Sequence, residues 1–463
     1  MKAVAGQPAL PWWLPSATAF AYLGALVAAF QFDDYNIIVD NPAVHGLDAW
    51  WAQMPAIRPL LKLSYALNWS ISPKPFGFHA VNLLLHLANT ALVWQLSAYF
   101  PAAAGLPAER HTRARQLTTL LFALHPIQTE AVTYVSGRSM SLMTLFALLG
   151  LIVWLRADER PRPGLWLAGA VAAFTAALAS KEVAVVLPLL LLLFPRRPGN
   201  PHTRRNALPI LVALPLLFLP LLAWLGYGYL LSAPPPRSLA ANLASEVNAL
   251  FYLLGQLFRP HALNIDPDLP EYPGWSLLPL LQAGLLAGLL AYAWLTRGRR
   301  PWLFFGLAWW LLCLIPMYSL IARVDLANER HLYLSGIGLY WIAAVLLAGH
   351  AWFAPAARWR ALLIALLLPG VMFTAVRNAD YRDEVSLWRV TAQCSPGKAR
   401  VWNNLGYAYA LAGQEAAARA AFSAALRLQP EHARAQRNLR ALESGWFTRH
   451  AQAYAIADKE TEP

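Results

Sequence analysis

The sequence contains little charge and almost no cysteine, and both absences exclude classes of protein. Only 13% of its 463 residues are Asp, Glu, Lys or Arg, which is about half the share of an ordinary soluble domain. Its two cysteines, Cys313 and Cys394, are too few for a disulfide framework or a cysteine-based metal site. The sequence is therefore atypical of a soluble enzyme and of a disulfide-rich secreted domain.

Long apolar runs take the place of the missing charge. Hydrophobic residues make up 58% of the chain, and they recur in runs of about 20 residues, the length that crosses a bilayer. We predict an all-α, polytopic membrane bundle with eleven spans. The first run, 17–32, lacks a small-residue cleavage pattern, so we expect it to remain as a span. The predicted spans are 14–32, 78–100, 116–135, 139–155, 164–180, 183–195, 208–232, 276–296, 301–322, 332–350 and 361–376.

The net charge of +13 is divided unevenly between the loops on the two sides of the predicted membrane domain. Alternate loops carry sixteen basic and three acidic residues, whereas the opposite segments before the tail carry nine basic and twelve acidic ones. Because cytoplasmic loops are rich in Lys and Arg, we predict a cytoplasmic N-terminus and a non-cytoplasmic tail, with 246–259 lying along the interface or re-entering the membrane. The excess is thus a topology signal and does not indicate nucleic acid binding. The Arg-rich, Ala-rich composition is typical of a GC-rich bacterial genome, which predicts the inner membrane and a periplasmic tail, or the endoplasmic reticulum membrane in a eukaryote.

Composition divides the chain into a membrane domain (1–376) and a soluble tail (377–463). Two long segments of the membrane domain, at about 33–77 and 232–275, are predicted on the non-cytoplasmic side. Such loops are typical of a site built on that face.

The tail carries the pattern of a 34-residue tetratricopeptide repeat. We predict a short helical hairpin domain with its core repeat at about 399–432, preceded and followed by one helix each. Its role is open between a structural end-piece and a surface that holds a protein partner. All eight signature positions are occupied, by Trp402, Leu405, Gly406, Tyr409, Ala418, Phe422, Ala425 and Pro430.

Ionisable residues next to spans are costly, so each is a candidate for function. Asp33 and Asp34 follow the first span, where a carboxylate can act as a general base, hold a divalent cation, or simply end the span at the membrane surface. His79, Asn82 and His86 share one helical stripe, which either lines a polar cavity or makes interhelical hydrogen bonds. No third strong ligand lies nearby, so we do not expect a zinc site.

Further charged candidates occur in segments that are predicted on the same side. Each has an ordinary alternative, such as an ion pair or a self-neutralising turn. Together, however, the four cations among them suit an anionic lipid phosphate beside a hydroxyl acceptor, because guanidinium groups bind phosphate oxygens bidentately. These candidates are Arg58, Glu130, Arg138, Lys181, Glu182 and Arg330.

The order of these motifs resembles the transmembrane and tetratricopeptide-repeat-containing protein O-mannosyltransferases, members of the GT-C glycosyltransferase superfamily. The resemblance extends over nearly the whole chain. Members of the family usually carry many repeats, whereas this chain has about one, so its acceptor need not be theirs. The matching elements are Phe32-Asp33-Asp34, Asp40-Asn41-Pro42, Arg58-Pro59-Leu60, Phe76-Gly77-Phe78-His79, Asn82-Leu83-Leu84-Leu85-His86, His125-Pro126-Ile127-Gln128-Thr129-Glu130, Gly137-Arg138, Lys181-Glu182 and Glu329-Arg330-His331-Leu332-Tyr333.

The resemblance implies transfer of a sugar, mannose or another hexose, from a polyprenyl-phosphate donor to a Ser or Thr hydroxyl of a protein on the non-cytoplasmic face. It implies that Asp33 is the catalytic carboxylate and that Asp34 assists it, although which of the two is the base stays open. Arg138 and Arg330 are then the first candidates for the donor phosphate. The remaining candidates are Arg58 and Lys181 for the phosphate, and Glu130, Glu182, His79, His86 and Tyr333 for the substrate site.

We expect an inverting, metal-independent displacement with no cofactor besides the lipid-linked donor. The expected partners are membrane lipids and an exported acceptor protein docked by the tail, with no nucleic acid. Three other functions stay open: a polyprenyl-linked oligosaccharide ligase or polymerase, a transporter, and a membrane assembly scaffold. A transporter is disfavoured because the charges cluster at one face instead of at the bilayer midplane, and a scaffold would not need Asp33 and Asp34.

Overall fold

The computed structural model describes residues 8–102, 106–157, 163–194, 202–228 and 234–447. Several predictions fall outside these ranges: the charged loop residues Lys2, Asp158, Glu159, Arg160, Arg162, Arg196 and Arg197, the end of the span 208–232, the start of the loop 232–275, and the last part of the tail, 448–463.

The described residues form helices and no strand, which confirms the predicted all-α class. Short 3-10 turns connect many of the helices. The α-helices before the tail are Trp13–Ala21, Leu47–Ala52, Pro59–Ile71, Pro75–Ser97, Ala108–Leu124, Thr129–Val132, Arg138–Ala157, Pro163–Ser180, His202–Trp224, Leu239–Gln256, Leu277–Leu295, Pro301–Leu314, Leu332–Gly349 and Ala356–Asp380.

Among the described residues, six helices are long and apolar enough to cross a membrane. Each coincides with a predicted span, and the chain is accordingly an integral membrane protein. Three shorter apolar helices, Trp13–Val27, Glu182–Leu193 and Pro301–Leu314, lie in further predicted spans. The total of eleven stays a prediction. The six long helices are Pro75–Ser97, Val135–Ala157, Pro163–Ser180, Leu277–Leu295, Glu329–Gly349 and Ala356–Asp380.

The helix that follows Arg330 is fixed by a close backbone approach. A Cβ atom at Gly338 would lie 2.3 Å from the carbonyl oxygen of Gly306, and one at Gly306 would lie 2.5 Å from that of Gly338. Glycine at both positions therefore lets Pro301–Leu314 and Leu332–Gly349 cross with their backbones in contact, as small residues do between membrane helices.

The predicted span 116–135 differs from the structure. One helix covers Ala108–Leu124, and the chain then leaves the helical conformation at His125, whose φ is −74° and ψ is 125°. The physical reason is Pro126, which lacks an N–H group and disfavours helical backbone at the residue before it. The short turns that follow carry Glu130 to the end of the bundle.

The described part of the tail, up to residue 447, forms four helices, and two of them occupy the predicted core repeat. Gly406 lies against the ring of Phe422, where a side chain would collide with it. The identification of this pair as a tetratricopeptide repeat stays a prediction. The tail helices are Glu384–Cys394, Ala399–Leu411, Glu415–Leu428 and Ala433–Glu443.

The tail packs on several segments of the membrane domain. Trp388 belongs to one apolar cluster with Tyr134, which comes from the turns after Pro126. Asp266, in the second long segment, accepts hydrogen bonds from Lys398 Nζ at 2.6 Å and from Arg400 Nε at 2.8 Å. The first helix of the tail also lies next to the loop that carries Asp33, because Glu384 accepts a hydrogen bond from the N–H of Phe32.

Candidate active site

The two carboxylates that follow the first helix have different environments. Asp34 is buried, with 1% of its surface exposed. Its Oδ1 accepts hydrogen bonds from the backbone N–H of Ser136 at 2.8 Å and from the Ser136 hydroxyl, and its Oδ2 accepts one from the N–H of Gln31 at 3.1 Å. Asp34 therefore ties its loop to the turn Val135–Gly137.

Burial also changes the acidity of Asp34. The loss of water raises the pKa of its carboxyl from 3.8 to about 7, against the hydrogen bonds from Ser136 and Gln31, which lower it. The negative charge of Asp33 adds to the rise. Asp34 is therefore partly protonated near neutral pH.

Asp33 is partly exposed and its carboxylate is unpaired. Its backbone N–H donates to the hydroxyl of Tyr134 at 3.0 Å, which fixes the main chain at this residue. Within the part of the chain that the structure describes, its carboxylate makes no hydrogen bond or ion pair. A free carboxylate of this kind can take a proton from a hydroxyl.

Glu130 and Arg330 form an ion pair next to Asp33. Glu130 is fully buried, and its two carboxylate oxygens accept hydrogen bonds from Nη1 of Arg330 at 2.8 Å and from the backbone N–H of Arg330 at 2.9 Å. The Arg330 side chain keeps 19% of its surface exposed, and it lies close enough to Asp33 to interact with its charge. Because only Nη1 is bonded to Glu130, part of the guanidinium is left to face a ligand.

Gly137 allows two segments of the site to approach each other. A Cβ atom there would lie 2.3 Å from the carbonyl oxygen of Glu130. Any other residue would therefore push apart the backbone segments that carry Glu130 and Arg138.

A second ion pair joins the first long segment, 33–77, to the segment after helix Pro163–Ser180. Nε of Arg58 donates to Oε2 of Glu182 at 2.8 Å, and its Nη2 donates to Oε1 at 2.6 Å. The neighbouring residue, Lys181, is buried with only a 3.4 Å hydrogen bond to the hydroxyl of Ser139. No carboxylate of a described residue lies within ion-pair distance of its ammonium group, while the charges of Arg58 and Arg330 act on it. Burial, and then these two charges, lower the pKa of Lys181 well below its ordinary value, so an anionic ligand beside it would favour its charged form.

Arg138 is fully enclosed. Its Nε donates to Oδ1 of Asn82 at 2.7 Å, its Nη1 to the carbonyl oxygen of Ser64 at 3.1 Å, and its Nη2 to that of Phe78 at 2.9 Å. The guanidinium also lies over the ring of Tyr65, 4.8 Å from its centre. All three nitrogens are therefore bonded to the protein, which distinguishes Arg138 from Arg330.

The polar stripe that was predicted on one helix lies inside the bundle. His86 is hydrogen-bonded through Nδ1 to the hydroxyl of Tyr333 at 2.8 Å and through Nε2 to the carbonyl oxygen of Ala123 at 3.0 Å. Asn82 bonds to Arg138, and His79 is buried on the same helix. Of the two alternatives, interhelical hydrogen bonding describes His86 and Asn82.

Apart from Asp34 and His79, the predicted site residues fall into two groups. The Asp33 cluster, defined as Asp33, Arg58, Glu130, Lys181, Glu182 and Arg330, lies where the loops meet at one end of the bundle. The interior network, defined as Asn82, His86, Asn89, Arg138 and Tyr333, lies between the helices.

Sequence reasoning missed the groups that hold Asp33 in place. Tyr134 bonds to its backbone, and Glu384 accepts a hydrogen bond from the preceding N–H group, that of Phe32, at 2.6 Å. Tyr134 follows the quoted Glu130 motif closely and could have been included, whereas Glu384 is 352 residues away from its partner and leaves no local signal.

The Asp33 cluster can bind an anion next to a carboxylate that is able to accept a proton. Arg330 and Lys181 supply positive charge, and Asp33 supplies the proton acceptor. Within the described ranges, no group of three or more His, Cys, Asp or Glu side chains is arranged to hold a metal ion.

Comparison with known proteins gives relatives over most of the chain. It is 25% identical to human protein O-mannosyl-transferase TMTC3 over 84% of its own length and 48% of that protein, and 26% identical to human protein O-mannosyl-transferase TMTC4 over 84% and 62%. It is 35% identical to Drosophila melanogaster protein O-mannosyl-transferase Tmtc2 over 37% of the chain and 20% of the relative.

The chain spans about half the length of the human TMTC3 protein. No protein-family model and no solved structure matches it. The resemblance that the motifs predicted is therefore confirmed: over most of its length the chain is similar to the TMTC-type protein O-mannosyl-transferases.

Proposed function

We propose that this protein is a GT-C-type membrane glycosyltransferase that transfers mannose or another hexose from a polyprenyl-phosphate donor to a Ser or Thr hydroxyl of a protein. The observation that carries the proposal is the free, partly exposed carboxylate of Asp33 beside the cations Arg330 and Lys181. The names of the relatives, all protein O-mannosyl-transferases, support the reaction class.

In the proposed reaction Asp33 is the general base. Its carboxylate takes the proton of the acceptor hydroxyl while that oxygen attacks the anomeric carbon of the sugar. The bond from the anomeric carbon to the phosphate oxygen breaks on the opposite face, so the configuration is inverted and polyprenyl phosphate leaves with the bonding electrons. Asp34 is a weaker candidate, because its carboxylate is buried and already accepts three hydrogen bonds.

Positive charge next to the leaving group accelerates this step without a metal ion. Negative charge gathers on the phosphate as the glycosidic bond breaks, so a cation at this point stabilises the transition state more than the ground state. Arg330 and Lys181 are the donor-phosphate residues in this proposal, with Arg58 behind them as a bidentate partner of Glu182. Arg138 holds the surrounding helices instead, because its three nitrogens are bonded to protein oxygens.

The acceptor would approach from the side of the tail. A cleft of about 460 Å³ opens between the Asp33 loop and the first tail helices. Phe30 and Tyr35 form one wall, and Arg382, Arg389 and Leu411 belong to the other. This size and mixed polar lining suit a short extended segment of polypeptide, which supports docking of an exported protein by the tail.

The charge distribution supports an inner-membrane protein whose site faces away from the cytoplasm. The basic loops are then cytoplasmic, and the tail with the Asp33 cluster is periplasmic.

Mass spectrometry of exported proteins tests the function. Three strains are compared: one with the wild-type chain, one without it, and one with Asp33→Asn at an equal amount of membrane protein. We expect a single hexose on Ser or Thr of some exported protein in the first strain and in neither of the others. Identical glycosylation in all three would reject the proposal, and loss of an oligosaccharide instead of one hexose would favour a ligase.

A further inference from the structure

The residue before Asp33 has an unusual backbone conformation. Phe32 has φ of +48°, and of the described non-glycine residues only Arg58, at +53°, shares this left-handed region. Such a conformation is disfavoured for a residue with a side chain and persists only where the surroundings hold it. Because Phe32 directly precedes Asp33, its dihedral angles set the direction in which the chain presents the Asp33 carboxylate.

Two side chains of one tail helix hold Phe32. Its backbone N–H donates to Oε1 of Glu384 at 2.6 Å, and its ring packs edge-on against Trp388 with 5.1 Å between ring centres. Glu384 and Trp388 lie four residues apart on helix Glu384–Cys394, so they face the same side. Trp388 is itself buried. One rigid surface therefore contacts both the main chain and the side chain of Phe32.

The residues just before Phe32 are attached to the same part of the tail. The N–H of Ala29 donates to the carbonyl oxygen of Arg382 at 3.0 Å, and the side-chain amide of Gln31 donates to that of Tyr381. On the other side, the N–H of Asp33 is bonded to Tyr134, which shares an apolar cluster with Trp388. The Asp33 loop is thus held between the tail and the turns after Pro126.

We propose that Glu384 and Trp388 are positioning residues for Asp33, holding Phe32 in the left-handed conformation that directs the base toward the acceptor. This inference rests on the proposed function of Asp33. It makes the tail part of the active site instead of only an end-piece or a docking surface. Neither residue touches a reacting atom, and their effect is carried through the main chain of Phe32.

Hydrogen exchange tests the contact independently of any transfer activity. The full chain in lipid nanodiscs is compared as wild type, Glu384→Ala and Glu384→Gln, with Glu431→Ala, an exposed tail residue, as the matched control. We expect the peptide containing the Phe32 amide to exchange at least about tenfold faster in Glu384→Ala. Glu384→Gln keeps an acceptor oxygen and should stay close to wild type, as should the control. Equal exchange at Phe32 in Glu384→Ala and wild type would overturn the proposal.

Transfer kinetics then separate positioning from general support of the fold. A displaced base slows the chemical step, so Glu384→Ala should lower kcat by about 10- to 100-fold with little change in KM for the donor. Glu384→Gln keeps an oxygen that can accept from the Phe32 N–H, so it should recover most of the kcat that Glu384→Ala loses.

A Glu384→Gln variant that is as slow as Glu384→Ala would overturn the positioning role, and so would wild-type kcat in Glu384→Ala. If the wild-type chain transfers no sugar, the proposed function fails, and the exchange rates still decide whether the tail holds Phe32.

Discussion

The Asp33 cluster and the interior network are both built from polar side chains, but the residues singled out in each differ in how many of their hydrogen-bonding groups are used. In the interior network, every nitrogen of Arg138 and both ring nitrogens of His86 are bonded to protein atoms. In the Asp33 cluster, the carboxylate of Asp33 has no partner among the described residues, and the ammonium of Lys181 has only one long hydrogen bond.

The difference separates residues that build the bundle from residues that can act on a substrate. A buried polar group whose bonds are complete contributes to structure, and its removal leaves partners unsatisfied. A polar group with free bonding capacity destabilises the fold slightly and is retained only if something else uses it. Asp33 and Asp34 show the contrast within two adjacent residues.

The largest expected effect on sugar transfer comes from replacing the carboxyl groups of Asp33 and Asp34 one at a time. Asp33→Asn should lower transfer by about 100- to 10,000-fold, because an amide cannot accept the proton of the acceptor hydroxyl. Asp34→Asn keeps an oxygen that can accept from Ser136, so its rate should stay within about tenfold of wild type. Initial rates of labelled sugar transfer to a Ser- and Thr-containing peptide, at equal amounts of folded protein, measure both.

Each variant is the control for the other, since both replace one carboxyl group of the same loop by an amide. Undiminished turnover in Asp33→Asn would reject its role as the base. A folded but inactive Asp34→Asn beside an active Asp33→Asn would exchange the two assignments.

The sequence predicted the helical membrane architecture because hydropathy is a local property. All six long apolar helices fall in predicted spans. The error at 116–135 arose because average hydropathy does not register a backbone break, although Pro126 was visible as the signal for one. Hydropathy therefore predicts which segments are spans, whereas Pro126 indicates where the helix of the predicted span 116–135 ends.

The site could be predicted only in part, because its selection depends on contacts between distant segments. The ordered motifs identified the segments that meet around Asp33, including Glu130 and Arg330, which are 200 residues apart. They did not distinguish Arg138 from Arg330, because both are arginines beside a span and only their partners differ. Nor did they indicate Glu384, whose partner lies in the first loop.

The next largest effects come from replacing two buried basic residues, Arg138 and Lys181. We expect the loss of Arg138 to lower stability and the loss of Lys181 to lower activity. Arg138→Ala removes the hydrogen bonds that its guanidinium donates to the oxygens of Asn82, Ser64 and Phe78, and it should destabilise the protein by about 3 kcal/mol or more. Lys181→Met removes a buried charge without an ion-pair partner and keeps the volume, so thermal stability should be unchanged or higher. Its kcat/KM for the donor should nevertheless fall roughly 100-fold, because the phosphate loses one cation.

Thermal unfolding in detergent and transfer rates on the folded fraction measure this pair. The comparison between the two groups would be wrong if Lys181→Met lost stability and kept its rate per folded molecule. It would be equally wrong if Arg138→Ala kept its stability.

The smallest expected effect is a pH dependence of stability that comes from Asp34. Its pKa in the folded protein, about 7, lies above its ordinary value of 3.8, so the folded state binds more protons than the unfolded chain between these values. The stabilisation from this group is therefore complete below about pH 4 and is lost as the pH rises through about 7. Asp34→Asn cannot titrate, and all other groups, including Glu246, whose burial also raises its pKa to about 7, are common to both proteins.

The difference in unfolding midpoint between wild type and Asp34→Asn isolates this contribution. Measured from about pH 5 to pH 8, the midpoint of wild type should fall steadily relative to that of the variant up to about pH 7 and level off above it. A difference that rises with pH would mean that the hydrogen bonds from Ser136 and Gln31 outweigh burial and keep Asp34 ionised. In that case only the free bonding capacity of Asp33 would distinguish the base from its neighbour.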